Sequence, residues 1–265
     1  MLAPVEPMRP GKLRLVLEIQ VSPGAMQPSW APRQAPQPGV VTVQSTVEAA
    51  LSRLLRREVA VTGAGRTDAG VNAHSMTAHV DLPDGFDAAA PEFIRSFNAL
   101  CGPAVAIHSL HRVAPDAHAR FDAVERVYRY FVHTSKDPFT GGLSWQAPAS
   151  LDFEAMNRAA EVLLGRQDFT SFSKLHTDVK TNICDVRRAS WHRIDATHWY
   201  FEIAADRFLR NMVRAVVGTL VDVGRGKLDA DGLRRIIGRR DRCAAGTSMP
   251  AEPLFLWDVI YETPS

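Results

Sequence analysis

The sequence predicts an α+β fold made of two halves that share one grammar, a strand followed by a helix and then further strands. Three observations carry this expectation. Apolar residues recur at period two in short runs, of which Leu13, Leu15, Leu17 and Ile19 form the first. Between such runs stand stripes at helical spacing, as in Val47, Leu51, Leu54 and Leu55. The same order then recurs beyond residues 114–120, which divides the chain into an N-terminal half, 1–116, and a C-terminal half, 117–265.

The elements follow in chain order. Residues 1–11 are Pro-rich and read as a loose tail before the first strand. Residues 21–40 carry prolines at 23, 28, 32, 36 and 38 with Gly24 and Gly39, a pattern that prevents ladder bonding and predicts a long irregular loop. Ser45 with Glu48 three residues later reads as a capping box at the start of a helix. Strand-like runs around 58–62, 76–81 and 104–113 complete the first half.

In the second half Arg126 to His133 reads as a strand with Tyr128, Tyr130 and Val132 on one face and Val127, Arg129 and Phe131 on the other. A helix begins near Asp152, places Phe153, Met156, Ala160 and Leu163 on one stripe and stops at Gly165. Strands follow at 185–194 and 198–204. A long apolar helix is expected over about 207–222, with Gly224 past its end, then a short Arg-rich helix near 231–241 and a last strand over 254–260.

Composition bounds the function. With 265 residues, 46% hydrophobic and 23% charged, the chain reads as globular, and disorder or a collagen-like repeat is excluded. No apolar run approaches the roughly 18 residues of a membrane span, and the opening segment lacks the pattern of a signal peptide, so a cytoplasmic location without membrane partners is expected. Cys101, Cys184 and Cys243 are odd in number and far apart, which leaves neither a disulfide framework nor a Cys-x-x-Cys site. Net charge is only +2, yet all but five of the 31 basic residues are arginine, the better fork for phosphate. A GC-rich coding sequence gives the same bias.

Three clusters carry candidate chemistry. Ala64-Gly65-Arg66-Thr67-Asp68-Ala69-Gly70-Val71 sets a carboxylate and a guanidinium two residues apart between glycines, directly after a strand. The same residues suit a solvated turn, and neither a P-loop nor a dinucleotide fingerprint is present. His118-Ala119-Arg120-Phe121 leads into Tyr128-Arg129-Tyr130, aromatic and cationic residues of the kind that stack bases and hold phosphates, although strand tyrosines also serve as core. Arg207, Arg210, Asn211 and Arg214 fall at i, i+3, i+4 and i+7 of the expected helix, so they form one polar face, either an anion-binding face or a snorkelling edge. The close histidine pairs, His74 with His79 and His108 with His111, lack a metalloprotease pattern, so no metal is expected; no Gly-x-Ser-x-Gly elbow offers a serine nucleophile.

Taken together these clusters resemble the tRNA pseudouridine synthase A family. The matching stretches, in order, are residues 64–71, His118-Ala119-Arg120-Phe121, Tyr128-Arg129-Tyr130, Gly165 with Asp168-Phe169-Thr170-Ser171-Phe172, and Asn211-Met212-Val213-Arg214. The resemblance implies two similar α+β halves whose antiparallel sheets join around a central cleft, the pseudouridine synthase fold. It implies a homodimer acting on tRNA, an isomerase that converts uridine to pseudouridine at positions 38, 39 and 40 of the anticodon stem-loop. Such a reaction needs no cofactor.

Under this resemblance Asp68 is the nucleophile and Arg214 its ion-pair partner. Tyr128 stacks on the target uracil, and Arg66 fills the gap or holds the displaced nucleotide. Arg120, Arg129, Arg207 and Arg210 are candidates for holding RNA phosphates. The chain departs from the family pattern at Ile19-Gln20-Val21-Ser22-Pro23-Gly24, where a Tyr-Asp-Gly loop is usual, and retains only Trp30 and Arg33-Gln34 near the usual Gly-Trp-Gln segment. Asn72 stands for a common His, and Met76 for a usual Gln. A catalytically impaired tRNA-binding or RNA-folding homologue is therefore the second function the sequence allows. A small-molecule enzyme would need a pocket without a basic rim, which the arginine clusters oppose.

Overall fold

The computed structural model describes residues 13–22, 42–82, 91–174 and 181–262. The expected tail at 1–11 and all but the first two residues of the expected loop at 21–40, with Trp30, Arg33 and Gln34, lie outside the described residues. The chain is α+β and forms two compact units, Met1–Val124 with Leu256–Ser265, and Glu125–Phe255. The division thus falls after Val124 rather than at 116, and most of the last strand belongs to the first unit.

In the first unit β1 (Leu13–Val21) lies between β3 (Asn72–Leu82) and β4 (Val105–Val113), antiparallel to both. Short β2 (Val61–Gly63) also pairs antiparallel with β3. Helix α1 (Val43–Leu55) packs on β2 and on α2 (Pro91–Cys101), and α2 packs on β4. Leu17, Ile19, Val47, Leu51 and Phe97 are fully buried between these layers.

Two local readings are corrected here. The capping box of α1 is Thr42 with Ser45, not Ser45 with Glu48: the Ser45 N–H donates to Thr42 Oγ1 at 3.0 Å and the Thr42 N–H to Ser45 Oγ at 2.9 Å. Glu48 is instead buried and accepts from the Val61 N–H at 3.0 Å and from Gln44 Nε2 at 2.9 Å, which fixes the start of β2. Helix α2 was not expected from the sequence. Its signal is the i, i+4, i+8 spacing of Phe93, Phe97 and Cys101, and Asn98 secures it by exchanging two bonds with the Ile107 main chain at 2.8 and 2.9 Å.

In the second unit the strand order is β5 (Ala123–His133), β9 (His198–Ala205), β8 (Ile183–Arg193) and β7 (Gly165–Asp168), all neighbours antiparallel. The two-residue β6 (Trp145–Gln146) pairs parallel with β5. Helices α3 (Phe153–Ala160), α4 (Met212–Gly224) and α5 (Ala230–Arg239) complete the unit. Phe153 stacks on Trp199 at 4.2 Å and meets Trp191 edge-on at 5.4 Å, so α3 covers the face of β8 and β9 that holds those rings. Gly224 lets α4 approach α3 closely, because a Cβ there would lie 2.5 Å from Met156 Sδ.

The expected helix over 207–222 is shorter at its start. Helix α4 begins at Met212, and Asn211 takes a left-handed conformation at φ 67°. Arg207, Arg210 and Asn211 therefore do not share a helical face with Arg214. The reason is local: Asn tolerates left-handed backbone, and Asn211 Nδ2 is bound to Ser248 Oγ at 2.6 Å rather than exposed on a helix surface.

Candidate active site

The turn that carries Asp68 is built from its ends. Past β2 the Ala64 N–H still donates to the Thr77 carbonyl at 2.8 Å, and the Val71 N–H closes back on the Asp68 carbonyl at 3.1 Å. Ala64 and Val71 are buried, Asp68 is half-buried and Arg66 is exposed. Gly70 has φ 83°, the left-handed region that a side chain resists, so it sets the turn that presents Asp68. Gly65 has open space around it, and nothing in its surroundings demands a glycine. The two departures after the turn face inward: Asn72 and Met76 are buried residues of β3.

The His118-Ala119-Arg120-Phe121 stretch belongs to the first unit and is pinned there by two bonds on Ala119 and a third on the preceding Ala117. His79 Nδ1 accepts from the Ala119 N–H at 3.1 Å, Tyr261 donates to the Ala119 carbonyl at 2.6 Å, and Arg14 Nη1 donates to the Ala117 carbonyl at 2.8 Å. Burial, then the charges of Arg14 and His118, push His79 down to about 4, which keeps it neutral and able to accept. The clamp leaves Arg120 and Phe121 exposed side by side, the guanidinium 5.9 Å from the ring centroid.

In the second unit β5 divides the Tyr128-Arg129-Tyr130 motif between two faces. Tyr128 is half-buried and meets Phe208 edge-on at 5.1 Å, whereas Tyr130 is fully buried. Arg129 points the other way, bonded to Glu202 at 2.8 Å and lying 4.7 Å over the Tyr200 ring. Of the four phosphate candidates, Arg129 is thus one whose charge is compensated within the fold. Arg207 is half-buried, while Arg120 and Arg210 are exposed.

Arg214 lies in the first turn of α4 and is held by a segment the sequence did not single out. Its Nε donates to the Met249 carbonyl at 2.6 Å while its own carbonyl accepts from the Met249 N–H at 3.1 Å. Ser248 Oγ takes bonds from Asn211 Nδ2 at 2.6 Å and from Arg242 Nη2 at 2.8 Å. The Gly246 N–H donates to Thr219 Oγ1 at 2.9 Å. At Gly218 a Cβ would come 1.8 Å from the Thr247 carbonyl oxygen, so residues 246–249 run along α4 as a shelf with no room to spare.

Two features of the second unit escaped sequence reading. Phe208 backs Tyr128, but it was assigned to a helix that does not reach it. The Tyr130 hydroxyl has no hydrogen-bond partner among the described residues, although its ring is fully buried. Burial pushes its phenol up, Arg214 opposes this and Glu252 adds to it. An unpaired buried hydroxyl costs about 1–3 kcal/mol, so its retention is notable. The Asp168-Phe169-Thr170-Ser171-Phe172 stretch is structural: Asp168 accepts from the Thr170 N–H at 2.9 Å, and Ser171 Oγ donates to the Ile236 carbonyl at 2.6 Å to hold α5. Burial raises the Asp168 carboxyl, but the Thr170 bonds and Arg240 at 3.1 Å outweigh it and hold it below its ordinary value.

Asp68 and Arg66 therefore stand in the first unit, and Tyr128, Tyr130 and Arg214 in the second. Among the described residues no group of three or more His, Cys, Asp or Glu is placed to hold a metal ion, and no helix is long and apolar enough to cross a membrane. The first unit thus supplies a half-buried carboxylate on a turn, and the second a half-buried tyrosine and a guanidinium anchored on Met249.

A family profile described as tRNA pseudouridine synthase matches residues 159–262. Proteins named tRNA pseudouridine synthase A from Parabacteroides distasonis and Bacteroides thetaiotaomicron are each 52% identical to this chain, covering 85% of it and 88% and 84% of their own lengths. The Bacillus subtilis protein of that name is 36% identical over 85% of this chain and 92% of its own. Among solved structures, a chain of a Cbf5-Nop10-Gar1 complex covers 92% of this chain and 58% of its own at TM-score 0.33 and 11% identity, and no weight rests on it. From its curated relatives, the chain belongs to the tRNA pseudouridine synthase A family.

Proposed function

We propose that this chain isomerises uridine to pseudouridine in tRNA, at positions 38, 39 and 40 of the anticodon stem-loop, with Asp68 as the nucleophile. The observation that carries the reading is the half-buried carboxylate of Asp68 on a turn fixed at both ends, within a chain about half identical over most of its length to proteins named for this activity. Across the reaction the N1–C1′ bond breaks, the uracil turns, and a C5–C1′ bond forms. The proton lost from C5 is balanced by the one gained at N1, so no electrons are exchanged with a cofactor. A carboxylate serves such a step by stabilising or trapping the detached intermediate.

The remaining roles follow from side-chain chemistry. Tyr128, braced edge-on by Phe208, offers its ring to the uracil, and its hydroxyl is the group to take the C5 proton. Arg214 supplies the positive charge that the chemistry of an ionised carboxylate calls for. Exposed Arg66 occupies the space left when the uridine leaves the stack, a departure that costs a few kcal/mol. Arg120, Arg207 and Arg210 hold phosphates, with Arg129 contributing least because Glu202 already compensates it. The working form is a homodimer in the cytoplasm.

The test is carbodiimide-dependent reverse-transcription stopping on unmodified tRNA with uridines at 38–40, comparing wild type with Asp68→Asn. Stops from the wild type alone support the assignment. Binding of the tRNA without stops from either protein would replace it with the catalytically impaired, RNA-binding reading.

A further inference from the structure

We propose that Phe121 is a stacking platform for a nucleobase of the tRNA substrate that stands outside the helical stack. The proposal rests on the tRNA reading above and adds to it a residue with no role so far. Exposure alone does not carry it, since Phe139 is the more exposed ring, at 95% against 76%. What sets Phe121 apart is how its ring is mounted and what stands beside it.

The ring is carried by a turn between β4 and β5 whose main chain closes on itself. The Asp122 N–H donates to the His118 carbonyl at 3.1 Å, and the Asp122 carboxylate accepts from the His118 N–H at 2.6 Å. His118 Nδ1 accepts from the N–H groups of both Arg120 and Phe121, at 3.1 and 3.3 Å. Through Arg14, His79 and Tyr261, the residues just before the ring are tied to β1, β3 and the last strand. The His118 imidazole then backs the phenyl at 4.3 Å between centroids, and itself meets His79 edge-on at 4.7 Å. One side of the Phe121 ring is thus packed on a fixed partner, while 76% exposure leaves the rest open. A ring mounted in this way has given up much of its freedom before a ligand arrives, which lowers the entropic cost of stacking on it.

The chemistry around the ring points to a nucleobase as the occupant. A turn braced on three strands holds in water an apolar ring from which the fold itself gains little burial. A phenyl face stacks any base, because every base has a π face. The Arg120 guanidinium lies 5.9 Å from the ring centroid, near the outer limit of a cation–π contact, so its charge stands beside the platform, where the phosphate of a stacked nucleotide would come. Ring and cation together match unpaired RNA, whereas a fully paired helix offers no base face. A tRNA anticodon loop supplies such bases, and so does the step left open when a uridine leaves its stack.

The experiment uses Phe121→Leu, which keeps an apolar side chain without a π face, Phe121→Tyr, which keeps the face, and Arg120→Ala, which removes the adjacent charge. Each is compared with wild type for affinity to unmodified tRNA and to a blunt RNA duplex, for the salt dependence of tRNA affinity, for mass in solution and for thermal midpoint. Phe121→Leu is expected to bind the tRNA about tenfold more weakly and the duplex within about twofold of wild type. Its salt slope is expected to match wild type, whereas Arg120→Ala lowers the slope by about one. Phe121→Tyr is expected to bind tRNA within about twofold of wild type. The midpoint of Phe121→Leu is expected to move by no more than about 2 °C, the ring being exposed. Unchanged tRNA affinity in Phe121→Leu, or equal losses on tRNA and duplex, overturns the proposal and leaves the synthase reading standing. A midpoint lowered well beyond that range assigns the ring to the fold, and a lower mass in Phe121→Leu assigns it to a contact between two copies of the chain; either overturns the proposal. Affinity is read without turnover, so the expected pattern supports the platform even where the wild type makes no pseudouridine. A wild type that binds no tRNA removes both readings.

Discussion

Around Asp68 the first unit relies on main-chain bonds at the two ends of a turn, whereas around Arg214 the second unit relies on packing without clearance. The Asp68 turn is closed by the Ala64 and Val71 N–H groups, and its middle residues remain partly or wholly exposed. The Arg214 turn is pressed against residues 246–249, where a single methyl at Gly218 would collide with the Thr247 carbonyl. A turn closed by main-chain bonds at its ends places its chemistry toward the surface. A helix start locked against a shelf tolerates almost no added side-chain volume, and it anchors Arg214 on one residue with two bonds, one from the guanidinium and one at the main chain. The two regions should therefore separate activity from stability in opposite proportions.

The largest effect that separates them is on turnover. Asp68→Asn keeps the shape and the main-chain bonds of the turn, so stability should stay within about 0.5 kcal/mol while turnover falls by about a thousandfold or more. Chemical denaturation read beside pseudouridine yield checks both halves. A large stability loss would show that the carboxylate holds the turn. At the other region Gly218→Ala should cost at least about 3 kcal/mol, because the atom struck is main-chain oxygen that cannot rotate away. A mild melting shift in that variant would show that the shelf yields, and the contrast between the two regions would collapse.

The same contrast explains what the sequence disclosed. Alternation and stripe spacing located β1, β3, β4, β5, β8 and β9 and the helices from Val43, Phe153 and Ala230, since each depends on which side of a short element is buried. The Asp68 turn was legible because turn chemistry is local: Gly70 must adopt φ 83°, and glycine announces it. The start of α4 was not legible. Leu209 is buried and falls on the helical stripe, so periodicity ran through the left-handed Asn211 without interruption. Nor does Thr247-Ser248-Met249 signal a role, for its function is to offer a carbonyl, a hydroxyl and an N–H to residues more than thirty positions away. Tyr130 looked identical in kind to Tyr128 at period two, and only burial tells the two apart.

A smaller effect tests the clamp on the Ala117–Ala119 segment, which is intermediate between the two cases because its bonds are few but one partner titrates. His79 is held well below its unfolded value, to about 4, and accepts from the Ala119 N–H only while neutral. Between about 6.5 and 4 the unfolded chain therefore takes up a proton that the folded chain does not, and stability falls as pH falls through that window. The contribution is present in full above the unfolded value. Its slope is at most about 1.4 kcal/mol per pH unit, the limit for one proton. Denaturation series at pH 7 to 4 should show this slope in wild type and lose it in His79→Gln. Parallel curves for the two proteins would mean that His79 does not govern the clamp.

The smallest effect concerns α1, where two capping boxes compete on paper and one exists in the fold. Thr42 accepts the Ser45 N–H and Ser45 accepts the Thr42 N–H, while Glu48 is occupied with Val61 and Gln44. Thr42→Ala should thus cost about 1 kcal/mol, the usual loss for an N-cap hydroxyl. Glu48→Gln preserves an acceptor oxygen for the Val61 N–H and leaves the true box intact, so it should not reproduce the loss as a capping defect would. Because the bonds of Thr42 run to Ser45 and Thr46 in the first turn of α1, turnover per folded molecule should be unchanged in Thr42→Ala. If turnover per folded molecule fell in Thr42→Ala while circular dichroism showed the helix still formed, the cap would be supporting the Asp68 turn through Glu48 and β2, which connect that turn to the helix.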